Sequence, residues 1–140
     1  MPEGVGYASS NVVAGAGLEL NYVANRVFAY SGLFAATTSD QTMFNFVTGA
    51  ETIKGFFECM GNFNPNASAN IGDGKNTAFQ IYLNGVVVSA IKIATGGEQM
   101  PSKERQHLII PPYTNVKLTV LSSGASATET STATFVGQIL

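Results

Sequence analysis

Ionic side chains are scarce in this chain. Of its 140 residues only 11% are Asp, Glu, Lys or Arg, against about 25% in ordinary soluble domains. Nine acids and seven bases leave a net charge of −2. That balance provides no basic stripe to neutralise phosphates, which argues against nucleic-acid binding. Tryptophan is absent, so a carbohydrate platform would have to use Tyr7, Tyr22, Tyr30, Tyr82 and Tyr113, and tyrosine suits protein interfaces at least as well. One cysteine, Cys59, cannot form an internal disulfide, and together with one histidine, His107, it cannot supply the four ligands of a zinc site. Cys59 sits in an apolar alternating run and is expected to be a buried free thiol. No run of about 20 apolar residues predicts a membrane-spanning helix, and no segment shows a 3.6-residue period. No Lys or Arg precedes Arg26, so the N-terminus lacks the positive start of a secretory signal. Residues 1–17, rich in glycine and small side chains, are expected to form an extended arm ahead of a single domain over 18–140.

What the chain does have is alternation. Thr77–Ile93, TAFQIYLNGVVVSAIKI, carries two apolar runs about Asn84-Gly85, the pair favoured in a type I′ hairpin turn because both central residues need positive φ. Folded symmetrically, the hairpin sets Leu83 against Val86, Ile81 against Val88 and Phe79 against Ala90 on one greasy face. Tyr82 with Val87, Gln80 with Ser89 and Ala78 with Ile91 form the other, which is too apolar to be simply wet. Further strands are expected over 18–23, 26–34 (Phe28, Tyr30 and Phe34 sharing a side), 41–47, 52–63, 107–110, 115–121 and 132–139. In the 52–63 run, Ile53, Gly55, Phe57, Cys59, Gly61 and Phe63 fall on one face, with Phe56 and Met60 among charges on the other. Loops are expected over 64–76, 95–105 and 122–131, where turn-forming residues cluster. Eight or nine short strands without a repeat predict an all-β, single-domain antiparallel β-sandwich of jelly-roll type. Low charge with 45% hydrophobic residues also predicts that part of the exterior is covered by other subunits.

Motifs for chemistry are weak. No Gly-x-Ser-x-Gly elbow accompanies His107. Glu51 and Glu58, seven apart, fall on opposite faces of a strand, and Asp73 and Glu98 lie in separate loops, so no carboxylate pair is defined. The run Asn70–Asn76 has a single carboxylate where a calcium loop needs several. Gly15-Ala16-Gly17 lacks the Lys-Ser/Thr of a phosphate loop. The expectation is a protein without catalytic residues, cofactor or metal.

Several strand-and-turn signatures together resemble a known group. They run Leu20-Asn21-Tyr22, Tyr30-Ser31-Gly32, Phe44-Asn45-Phe46-Val47-Thr48-Gly49, Leu83-Asn84-Gly85-Val86-Val87-Val88, Leu108 to Val116 (LIIPPYTNV), and Phe135-Val136-Gly137-Gln138-Ile139. From about Leu18 onward the chain resembles the small jelly-roll head decoration (cement) proteins of tailed bacteriophages, marine and cyanobacterial ones in particular. The resemblance implies a homotrimer on the outer surface of an icosahedral capsid, assembled in the host cytoplasm, with the phage major capsid protein as partner and no nucleic acid or membrane. On that reading Phe56, Met60, Tyr82, Val87 and Ile91 are candidate subunit contacts. Tyr7, Val12 and Val13 of the arm, with Lys103 and Arg105 of the 95–105 loop, are candidate capsid contacts. The alternative is a receptor- or glycan-binding head of a phage tail or capsid fibre, since the same fold does both jobs.

Overall fold

The computed structural model describes residues 20–35, 37–63, 75–95, 103–122 and 130–140, so Tyr7, Val12 and Val13 lie outside the described residues. Ten strands form: β1 (Asn21–Val23), β2 (Arg26–Tyr30), β3 (Phe34–Ala35), β4 (Gln41–Val47), β5 (Ile53–Phe63), β6 (Lys75–Leu83), β7 (Val86–Thr95), β8 (Lys103–Ile110), β9 (Asn115–Ser122) and β10 (Thr130–Ile139). They make two antiparallel sheets. The first has the order β1-β2-β10-β5-β8 with β3 beside one end of β10, and the second the order β4-β9-β6-β7. From β4 on, the chain crosses between sheets except at the β6–β7 hairpin. This places β10 between β2 and β5, and β9 between β4 and β6, the winding of a jelly roll. The short β1 lies within the expected run 18–23, and among the described residues the one strand beyond those expected is the two-residue β3, at the end of the run 26–34.

Alternation drives the packing, and aromatic rings fill the middle. Phe57 and Phe135 from the first sheet stand 4.7 Å apart between ring centroids, Phe44 from the second lies 5.8 Å from Phe57, and Phe46 lies 5.6 Å from Phe135. Ile53, Phe57 and Cys59 are buried on the inner face of β5, as are Val116, Leu118 and Val120 on β9, in agreement with the alternation.

Three expectations fail for identifiable reasons. The hairpin turn forms as expected, with φ of 51° at Asn84 and 82° at Gly85, and Leu83 faces Val86 and Tyr82 faces Val87. Beyond this a β-bulge leaves Val88 unpaired, so that Ile81 faces Ser89 and Phe79 faces Ile91. A one-residue slip exchanges the faces of everything beyond it. The symmetric register would have aimed Lys92 into the sandwich and Ile91 and Ile93 outward. The bulge buries both isoleucines instead. Ile91 is therefore a core residue and not a subunit contact.

Second, the strand expected over 26–34 is broken at Ser31–Leu33, where Gly32 takes φ of 73°. Phe28 and Tyr30 stay together on the outer face, 5.4 Å apart, while Phe34 turns to pack on the core. Third, β8 begins at Lys103, so Lys103 and Arg105 belong to a strand and not to a loop. Their charge conceals the strand in the sequence because β8 is a sheet edge, and charges on an edge discourage unwanted pairing.

Cys59 is buried, and loss of hydration pushes its thiol up to about 12. A raised folded-state value makes the protonated thiol a stabilising feature below its unfolded value of about 8.5, one that is lost as pH rises toward the folded value. Urea midpoints of the protein and of Cys59→Ala are therefore expected to converge or cross above about pH 9. The difference should change by up to about 1.4 kcal/mol per pH unit. In native protein at neutral pH the thiol should resist alkylation until urea unfolds the chain.

Candidate assembly interface

The strands leave two unlike ends. One end carries the tight connections: Ala24-Asn25, residues 48–52, Asn84-Gly85, residues 111–114 and the C-terminus at Leu140. These are cross-braced. Thr48, buried, donates its hydroxyl to the Pro111 carbonyl at 2.9 Å and accepts from the Thr114 amide at 2.9 Å. The Asn84 amide donates to the Asn115 carbonyl at 2.8 Å, and the Asn115 amide returns to Asn84 Oδ1 at 2.9 Å. Tyr113 N donates to the Gly49 carbonyl, and Leu140 N to that of Thr52.

This braced end is also where apolar side chains meet water. Among the described residues eleven large hydrophobics are exposed, and nine of them, Tyr22, Val23, Val47, Val86, Val87, Val88, Ile109, Tyr113 and Leu140, lie in or within a few residues of these connections. Tyr113 is 72% exposed and Val86 64%. Among the described residues, the non-glycine residues with positive φ, Ala24, Asn84 and Tyr113, are at the same end. Asparagine tolerates that region, whereas alanine and tyrosine hold it at a cost of order 1 kcal/mol. Tyr113 is thus held outward in a strained conformation by the bracing around it.

The flat outer face of the first sheet is different in kind. Strand register aligns Phe28, Val136, Phe56 and His107 in one row across β2, β10, β5 and β8. The next row toward the braced end holds Arg26, Gln138, Lys54 and Ile109, and the rows on the other side hold Glu58 with Arg105 and Met60 with Lys103. Arg105 places its guanidinium 4.3 Å over the Phe56 ring and donates to Glu58 Oε2 at 2.9 Å. That hydrogen bond holds the Glu58 carboxyl below its ordinary range. The His107 ring is 5.3 Å from that of Phe56.

The outer face of the second sheet pairs its polar groups locally. Tyr82 lies under the Lys117 ammonium at 4.5 Å and donates its hydroxyl to Gln80 Oε1 at 2.9 Å, and Asn115 donates to Asn45 Oδ1 beside it. Tyr82 is therefore already satisfied by polar neighbours.

The structure regroups the sequence candidates. Val87 joins the braced end. Phe56 and Met60 share a face with Lys103 and Arg105, so residues assigned to two different partners lie side by side. Tyr82 stands on the opposite sheet, and Ile91 is in the core. Val86, Arg26 and Lys54 are not among the sequence candidates, and Tyr113 is one only as one of five tyrosines. Val86 and Tyr113 border the Asn-Gly and Pro-Pro turns, and those turns were the available signal. His107 and Glu58 lie two positions apart in register on the outer face of the first sheet, Glu51 precedes β5, Asp73 and Glu98 lie outside the described residues, and among the described residues no three His, Cys, Asp or Glu side chains are placed to hold a metal.

No protein-family model matches the chain, and no curated protein does. Among solved structures it is similar to VP2 of infectious bursal disease virus in a subviral particle, at 16% identity over 83% of this chain and 33% of that one, with a TM-score of 0.48. It is also similar to a protein of the Bacillus endospore appendages, described as disulfide-linked pili, at 14% identity over 94% of this chain and 97% of that one (TM-score 0.47). A third is dimeric latent PorU from Porphyromonas gingivalis, at 14% identity over 79% and 11% (TM-score 0.45). The chain spans about a third of the length of the VP2 chain.

Proposed function

We propose that this chain is a virion structural protein, a decoration protein that sits as a homotrimer on the outside of an icosahedral phage head and braces contacts between major capsid subunits. The observation that carries the reading is the collection of nine exposed large hydrophobics at one rigid end of the sandwich. Large hydrophobics exposed in number at one end mark an interaction site, and permanent interfaces between like subunits are the more hydrophobic class. Geometry favours that end for self-association. Copies joined through opposite, parallel faces of a sandwich propagate as an open stack, whereas ends that converge on one axis can close a ring. A closed trimer would present three footprints to the shell at once, and multivalency slows release. Such bridging would oppose the strain that packaged DNA puts on shell contacts.

Light scattering on the purified chain is expected to give the mass of three copies, and the protein should co-sediment with expanded capsid shells. Val87→Lys combined with Tyr113→Asn should reduce the mass to that of one copy, because a buried unpaired charge is costly. Its far-UV circular dichroism should remain that of the folded sandwich, since asparagine accepts the φ of 53° at position 113. A wild-type chain that runs as a monomer and leaves shells bare overturns the reading.

A further inference from the structure

The chain's few cations are unevenly placed. Four of the seven Lys and Arg residues, Arg26, Lys54, Lys103 and Arg105, lie on the outer face of the first sheet. The only carboxylate that the register places there is Glu58, which is engaged by Arg105. A protein of net charge −2 thus carries one cationic face. Among the described residues neither Arg26 nor Lys54 has an ion-pair partner. They sit in the same row, separated by Gln138 on the intervening strand, so their backbones are about 10 Å apart and their long side chains can close on one group. Between them is a shallow depression of about 220 Å³, floored by Gly55 and Gly137 and walled by Phe56, Val136 and Gln138. It has room for one side chain, with two cations and an amide at its rim and an apolar wall.

We infer that this face is a docking surface for an acidic protein surface, with Arg26 and Lys54 clamping one carboxylate side chain in the depression and Phe28 and Val136 of the adjoining row receiving apolar groups beside it. A guanidinium offers a carboxylate paired donors, and an ammonium adds a point charge. A protein partner fits better than an acidic polysaccharide. Sugars stack on open ring faces, and the one phenyl ring that walls the depression, Phe56, is covered by Arg105 at 4.3 Å. The face is also broad, five strands or about 24 Å across, which matches a protein footprint of several hundred Å². One such footprint is below the roughly 800 Å² per partner of a stable standard interface, so one copy should bind weakly and an oligomer firmly. Only the assignment of this partner to the capsid shell rests on the decoration reading.

The test uses the full chain, immobilised, and three soluble probes: a random Glu–Tyr copolymer, poly-glutamate and alginate, each at low and several-fold higher salt. The copolymer is expected to bind best, poly-glutamate less well and alginate least, with binding weakened by salt because the contacts are exposed charges. Arg26→Glu with Lys54→Glu should weaken copolymer binding about tenfold or more. Arg26→Gln with Lys54→Gln, which changes less charge and keeps polar side chains, should also weaken it. Alginate binding as well as the copolymer, no binding to any probe, or both double variants binding like the parent would overturn the inference. Light scattering on the same samples separates the two proposals. Trimers that ignore the copolymer remove this inference alone, and monomers that bind it remove the trimer alone.

Discussion

Phe57→Ala is expected to destabilise the domain by about 4 kcal/mol, a large fraction of the 5–15 kcal/mol that holds an ordinary domain together. The ring is fully buried and touches the aromatic cluster on two sides, 4.7 Å from Phe135 in its own sheet and 5.8 Å from Phe44 in the facing one. Its removal takes away transfer free energy and leaves a void between two rigid sheets that cannot collapse onto each other. Phe57→Leu retains most of the volume and should cost less than half as much. Urea titration followed by far-UV circular dichroism reads both, with the midpoint moving and the slope unchanged. A shift in Phe57→Ala no larger than that in Phe57→Leu would mean that the cluster does not bridge the sheets.

Gly55→Ala should cost about 2 to 3 kcal/mol, although it adds a single methyl group. Gly55 faces Gly137 across the β5–β10 ladder. A Cβ at Gly55 would stand 2.5 Å from the Val136 carbonyl oxygen and 2.8 Å from Gly137 Cα. Those are backbone atoms of the central pair of strands, so no side chain can swing aside, and the ladder itself must part. Gly49→Ala is the control. There the nearest atoms, Glu51 Oε1 and Tyr22 Oη, are at 3.9 Å, and the change should stay within about 0.5 kcal/mol. Equal melting temperatures for the two variants would refute the close approach.

Much of this architecture is legible in the residues. The alternation in 53–61 correctly places Ile53, Phe57 and Cys59 inside and Phe56 and Met60 outside, because a strand's side chains take opposite faces in turn. Asn84-Gly85 declares its turn through backbone freedom that few other residues have. The misreadings occur where that period is interrupted. At Val88 a bulge adds a residue to one strand, and nothing local marks it. The bulge at Val88 is favoured by what lies across the sheet, since it buries Ile91 and Ile93 and frees Lys92. At Lys103–Arg105 a charged run reads as loop and is instead the protected edge of a sheet.

The surfaces show the same division. Scarcity of charge, an apolar exterior and a sandwich of short strands follow from composition and period alone, because hydration and pleat geometry act on each residue wherever it lies in space. The braced apolar end is assembled from four connections and the C-terminus, widely separated in the chain, and the cationic row from strands β2, β10 and β5. Strand order alone made Arg26 a neighbour of Gln138 and Lys54. That order is settled by which inner faces fill one shared core, a property of the whole chain that no window of sequence contains.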